Sequence, residues 1–183
     1  MIRPSLTIPL LAVMASLSFA QQHHRDPLTD PEVNKVRDAA QEPEIRLKLY
    51  VEFARARLDK LQQVHSDPKT TDREQQTRAA IQDFADVYDE LSLNVDTFAD
   101  RGEDLRKALK PVIEADTEFG SKLRAFKSSL TGNEAQSYEF LLGSALGAVD
   151  SGAKDHRDLL AEQEETFKHK KKQEHKVATH GPE

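Results

Sequence analysis

Apolar side chains recur along this chain at alternating intervals of three and four. From residue 81 the run reads Ile81, Phe84, Tyr88, Leu91, Val95, Phe98, Gly102, Leu105, Leu109, Val112, Asp116, Phe119, Leu123, Phe126 and Leu130. That is the period of helix surface buried along one seam against neighbouring helices. Two members change the chemistry without losing the phase, Gly102 and Asp116. Asp100 and Glu103 can form a capping box across Gly102, and Asp100, Gly102 and Pro111 together weaken an unbroken rod. The pattern therefore predicts a tight turn and two helices, 72–99 and 103–130. The alternative is one helix spanning 72–130, about 90 Å long and kinked at Pro111, in an elongated three-helix coiled-coil-like bundle.

Other elements follow from the same signals. Thr29 and Glu32 make a capping box with Pro31 in the first turn, which starts a short helix over 30–41. Pro43 opens a second helix to Val64, with Leu47, Tyr50, Val51, Ala54, Leu58 and Leu61 on its apolar face. Residues 65–71 (HSDPKTT) read as a loop, because Asp-Pro favours a turn. After the turn at Thr131–Glu134, a last helix over 134–172 carries the seam Tyr138, Leu142, Ala145, Val149, Gly152, His156 and Leu159. No strand-like alternation of useful length occurs. The expected fold class is all-α: a four-helix up-down bundle with a short extra N-terminal helix, over 30–172. Residues 21–29 are expected to be a disordered lead-in, and 173–183 a disordered basic, His-containing tail.

The first twenty residues stand apart. Arg3, an apolar run from Leu6 to Ala15, and small residues Ser18 and Ala20 match a secretory signal peptide cleaved after Ala20. The run is too short to span a bilayer, and Pro9 interrupts it. An exported protein, periplasmic or secreted, is expected. The chain of 183 residues contains no cysteine, which removes disulfides, thiol catalysis and Cys-ligated metals. Its net charge of −6 argues against nucleic acid as a partner.

A search for catalytic or metal-binding spacing finds none. No His has a Glu three residues before it, no His pair lies at i, i+4, and the phosphate-binding glycine motifs are absent. No catalytic residue, metal or cofactor is assigned, and the expectation is a protein that is not an enzyme. Three features carry candidate function. Asp116 interrupts an apolar seam, and antiparallel pairing about turns near 68, 101 and 132 puts Tyr50 and Tyr88 at its level. These three residues form either a polar layer that fixes register or the anchor of a small ligand pocket. Gly143, Gly147 and Ser151 repeat at four-residue spacing. They make a helix-packing face that accepts Phe119 within the chain, or a face for a homodimer. Lys168, Lys170, Lys171, Lys172 and Lys176 form a basic cluster. It suits a helix C-terminus and could also attach the protein to an anionic surface or another envelope protein.

Leu28-Thr29-Asp30-Pro31-Glu32 and Leu130-Thr131-Gly132-Asn133-Glu134 resemble the Leu-Thr-x-x-Gln motif of small periplasmic helical stress chaperones, with Glu in place of Gln in both. A capping box explains the first without common descent. The resemblance spans ten residues, and no function is carried over from it. The chain is expected to be a non-catalytic interaction or scaffold protein of the cell envelope, monomeric or homodimeric. The alternative is a stress-chaperone-like or small-ligand-binding helical module.

Overall fold

Five helices and no strand make up the described residues of this computed structural model, 26–179, with side chains described as far as residue 171. They are α1 (Asp30–Asp38), α2 (Pro43–Ser66), α3 (Arg73–Asp100), α4 (Arg106–Ser129) and α5 (Gly132–Thr179). The predicted signal peptide lies outside the described residues. Among those described, no helix is long and apolar enough to cross a membrane.

The capping box of α1 forms as its sequence predicts: the Thr29 N–H donates to Glu32 Oε2 at 2.8 Å. Residues 26–29, expected in the disordered lead-in, are held instead. Leu28 packs on the core, and the Pro27 carbonyl accepts from Arg57 Nη2 at 3.0 Å. Arg57 supplies the tether that a reading of the lead-in alone misses.

The long seam is split, as the glycine suggested, but by different capping chemistry. Gly102 takes φ +73°, a left-handed conformation that costs glycine little. The Gly102 N–H donates to the Ala99 carbonyl at 2.8 Å and the Glu103 N–H to the Phe98 carbonyl at 3.1 Å. This bond pair is a Schellman motif, which satisfies the last carbonyls of α3. Asp100 is the final residue of α3, so it makes no capping box with Glu103. The continuous 72–130 helix does not exist. Pro111 sits inside α4 without ending it.

Helix α5 continues to Thr179, past the predicted end at 172. The segment called a disordered tail is helical through residue 179 because Lys, Gln, Glu and Ala favour helix, and Gly and Pro first appear at Gly181 and Pro182.

Packing joins α2 to α3 and α4, and α5 to α3 and α4, while α1 rests on α2 alone. Helices α3 and α4, consecutive in sequence, are therefore diagonal in the bundle. They meet through core side chains, with Phe84 edge-on to Phe119 at 5.5 Å between ring centroids. Paired residues give the directions. Arg46 meets Asn94 and Lys60 meets Asp83, so α2 and α3 are antiparallel. Arg55 meets Glu118 and Asp59 meets Lys122, so α2 and α4 are parallel. The core is all but dry: Leu47, Phe84, Leu91, Leu109, Phe119 and Leu142 have no exposed surface. Its polar intrusions are few, which makes their placement informative.

Candidate functional site

Asp116 occupies a core-facing position of α4 and is 1% exposed. A carboxylate there needs hydrogen-bond donors, because burying it unpaired costs several kcal/mol, about 3–5 by analogy with broken buried pairs. Two neighbours supply them. The Tyr88 hydroxyl, from α3, donates to Asp116 Oδ1 at 2.8 Å. His156 Nδ1, from α5, lies 2.9 Å from Asp116 Oδ2. Three helices are thus cross-braced through one carboxyl group.

The protons in this group follow from its geometry. Burial, reinforced by the adjacent Asp116 carboxylate, pushes the Tyr88 phenol far above its usual range, so it remains a donor. Tyr88 has one proton and gives it to Oδ1. Oδ2 then accepts from His156 Nδ1–H, which orients the imidazole as carboxylates commonly orient histidine. The ring's second nitrogen, Nε2, has no partner among the described residues, and His156 lines a cleft of about 390 Å³ between α3 and α5.

That cleft is bounded on α3 by Ser92, Val95, Asp96, Ala99 and Asp100, and on α5 by Gly152, Asp155, His156 and Leu159. Gly152 is the close-approach point of the two helices. A β-carbon there would overlap the Tyr88 hydroxyl. Small size at 152 and a phenol at 88 are therefore one feature, and the Tyr88–Asp116 bond depends on both.

The predicted residues separate in space. Tyr88 and Asp116 meet; Tyr50 does not join them. Arg55 stands level with Glu118, so Tyr50 lies roughly one turn from the level of Asp116, toward the α3–α4 turn. Burial raises its phenol too, but its neighbours are Arg46, Glu90 and Asn94. It lines a different cavity, of about 550 Å³, with Pro27, Leu28, Val33, Val36 and Arg46. Arg46 closes one wall by donating from Nε to Asn94 Oδ1 at 2.6 Å and from Nη1 to the Val36 carbonyl at 2.9 Å.

The internal-packing reading of Gly143, Gly147 and Ser151 is overturned. All three are exposed, and a β-carbon on either glycine would meet nothing within 4 Å. The buried seam of α5 runs through Tyr138, Leu142, Ala145, Val149, Gly152 and His156, and the small-residue stripe sits to one side of it. Phe119 packs against Phe84 and Tyr88 on α3 instead. Of the basic cluster, Lys168, Lys170 and Lys171 are exposed. Lys172 and Lys176 lie farther along α5, where side chains are outside the described residues.

Sequence reasoning placed His156 on the seam of α5 and did not pair it with Asp116. The signal was available in part. Both residues are polar members of apolar seams on helices expected to be antiparallel, but the match needs the α4–α5 register to within one turn. Among the described residues no group of three His, Asp or Glu side chains converges enough to hold a metal ion. No protein-family model, curated protein or solved structure matches the chain.

Proposed function

We propose that this is an exported, non-catalytic helical interaction or scaffold protein of the cell envelope, which uses the basic end of α5 to engage an anionic surface. The observation that carries the reading is where α5 goes after Gln163. Gln163 is level with the α3–α4 turn, accepting from the Leu105 N–H at 2.8 Å and donating to the Glu103 carbonyl at 2.9 Å. The helix continues from there to Thr179, about 24 Å at 1.5 Å per residue. Arg106 covers the base of this arm, its guanidinium 3.6 Å from the Phe167 ring centroid. Beyond it Lys168, Lys170 and Lys171 are exposed on a chain whose net charge is −6. A basic arm on an acidic body orients the molecule in a negative surface field. The signal-peptide pattern of residues 1–20 puts such a surface within reach. In this reading the helices form a four-helix up-down bundle with its α3–α4 connection on the diagonal, and α1 is an accessory strap.

Co-sedimentation of residues 21–183 with anionic and with zwitterionic vesicles tests the proposal. Binding should be confined to the anionic vesicles, weaken with salt, and fall at least tenfold when Lys168, Lys170, Lys171, Lys172 and Lys176 are replaced by Gln. Equal recovery of the substituted protein would refute the role of the arm.

A second reading, a chaperone-like or ligand-binding module, draws support from the cavity around Tyr50. Its lining mixes apolar Pro27, Leu28, Val33 and Val36 with charged Arg46 and Glu90, the mixture expected where an amphiphilic segment docks. Suppression of a model client's aggregation, lost on Val33→Asp, would favour it. No suppression at excess protein would dismiss it.

A further inference from the structure

We propose that the cavity around Tyr50 receives an apolar α-amino acid as its zwitterion, with the carboxylate held by Arg46, the ammonium by Glu90 and the side chain by Leu28, Val33 and Val36. The inference rests on the ligand-binding form of the second reading above and names the ligand class. It begins from two opposite charges that line one cavity of about 550 Å³ and do not meet. Arg46 donates from Nε to Asn94 Oδ1 and from Nη1 to the Val36 carbonyl, and its guanidinium stands 6.0 Å from the Tyr50 ring centroid. Those bonds fix the group in place, and its Nη2 carries no bond among the described residues. The Glu90 carboxylate, from α3, has neither a hydrogen-bond nor an ion-pair partner among the described residues. Only the Glu90 carbonyl is engaged, accepting from Asn94 Nδ2 at 2.7 Å. Tyr50 is 2% exposed, and Arg46, Asn94 and Glu90 are the groups that act on its phenol. The polar groups of the cavity thus gather about one buried ring.

Charge and spacing narrow the class. Arg46 and the exposed Arg37 repel a simple cation, while Glu90 and the exposed Asp26 repel a simple anion. An uncharged apolar molecule would strip water from Arg46 and Glu90 without replacing its bonds. A molecule that carries both signs matches the pair. Arg46 is level with Asn94 on the antiparallel α3, so Tyr50, one turn farther along α2, is level with Glu90, one turn back along α3. The two charges are therefore offset by one helical turn, about 5.4 Å. An α-amino acid, with ammonium and carboxylate on the same carbon, bridges that offset with a hydrogen bond at either end. Leu28, Val33 and Val36, with Pro27 and Ala40, make up the apolar part of the lining, which suits a branched aliphatic side chain.

Isothermal titration of residues 21–183 with leucine tests this. Two halves of the same molecule serve as controls: 4-methylpentanoate, which lacks the ammonium, and 3-methylbutylamine, which lacks the carboxylate. A saturable single site for leucine is expected, with each half at least tenfold weaker. Glu90→Gln removes a charge that holds nothing else in the fold, so it should weaken leucine at least tenfold and leave the melting temperature unchanged. The methyl resonances of Val33 and Val36 should move during the titration, which places the ligand in this cavity without altering a core residue. Leucyl-leucine, whose charges are a residue farther apart, should bind at least tenfold more weakly than leucine; tighter binding would overturn the free amino acid in favour of a peptide. Absence of a saturable site, equal affinity for either half-molecule, equal affinity in Glu90→Gln, or static Val33 and Val36 methyls would each overturn the proposal. Suppression of client aggregation without leucine binding would uphold the chaperone-like form of the second reading and overturn this proposal, so the two fail separately.

Discussion

The hydroxyl of Tyr88 lies against Gly152 so closely that a β-carbon at 152 would overlap it. This contact makes one substitution have opposite effects at different glycines of the same helix. Gly152→Ala must push Tyr88 away from Asp116 or part α3 from α5, and overpacking of this kind costs about 1–3 kcal/mol. Gly143→Ala and Gly147→Ala meet nothing within 4 Å on an exposed helix face, and should stabilise by about 0.5–1 kcal/mol through helix propensity. Urea denaturation of the three variants checks both signs. A Gly152→Ala protein as stable as the parent would mean that α3 and α5 are not held together at this point.

Asp116 should be far less tolerant of Ala than of Asn. Asp116→Ala leaves the His156 ring buried without a partner and the Tyr88 hydroxyl with only the long contact to the Val149 carbonyl, at 3.5 Å, a loss of about 3–5 kcal/mol. Asp116→Asn keeps an oxygen for Tyr88. Its amide can donate to His156 Nδ1 if the ring moves its proton to Nε2. The loss should then be smaller, about 1–2 kcal/mol, and the tautomer of His156 should switch. Nitrogen NMR of the imidazole shows the tautomer directly. An unchanged Nδ1–H form in Asp116→Asn would contradict the bonding pattern.

Most of the helical architecture is legible in the chain because its evidence is local. The spacing of three and four marks α2 to α5, and Gly102 marks the break between α3 and α4. The Tyr88–Asp116 contact is also legible, since a tight turn at 102 folds the two seams back on each other almost symmetrically. Tyr50 and His156 were harder, because each depends on the register of a helix reached through another turn. An error of about one turn moved Tyr50 to the wrong layer, and one of about two turns along α5 hid His156, the partner of Asp116. The glycine stripe misled for another reason: small residues permit close approach but also tolerate exposure, and spacing does not distinguish them. Gly143 and Gly147 face outward, while the glycine that enables close packing, Gly152, is a member of the apolar seam itself.

Gln163 should prove a stabilising residue despite its place near the end of the bundle. Its side-chain oxygen and nitrogen serve Leu105 N–H and the Glu103 carbonyl, both in the α3–α4 turn. Gln163→Ala frees one donor and one acceptor, and Leu105 is fully buried. A loss of about 1–2 kcal/mol is expected, with faster amide exchange confined first to residues 101–106. Gln163→Glu keeps the acceptor for Leu105 but places a carboxylate oxygen against the Glu103 carbonyl. It should therefore be no better than Ala. Retained protection at Leu105 in Gln163→Ala would remove Gln163 from the account of the turn.

The docking of α1 should fail in acid before the bundle does. Arg57 donates to Glu32 from Nη1 at 2.8 Å and from Nη2 at 2.6 Å, and α1 packs on α2 alone. Burial works against the charge of Glu32, but the bonds from Arg57 and from Thr29 outweigh it and lower its pKa from 4.5 to about 2. A carboxyl group whose folded pKa is depressed adds stability above its unfolded pKa. That stability drains away as pH falls from 4.5 through about 2. Amide protection in α1, taken relative to the core of α2, should therefore be high at pH 6 and decline progressively below pH 4.5. Taking the ratio to α2 discounts Glu118, whose pKa is also lowered to about 2 by its bond to Arg55 and which bears on the α2–α4 contact. Glu32→Gln cannot titrate, so its α1 protection should be low already at pH 6 and flat through the same range. Parallel declines in the parent and Glu32→Gln proteins would show that another group governs the docking of α1.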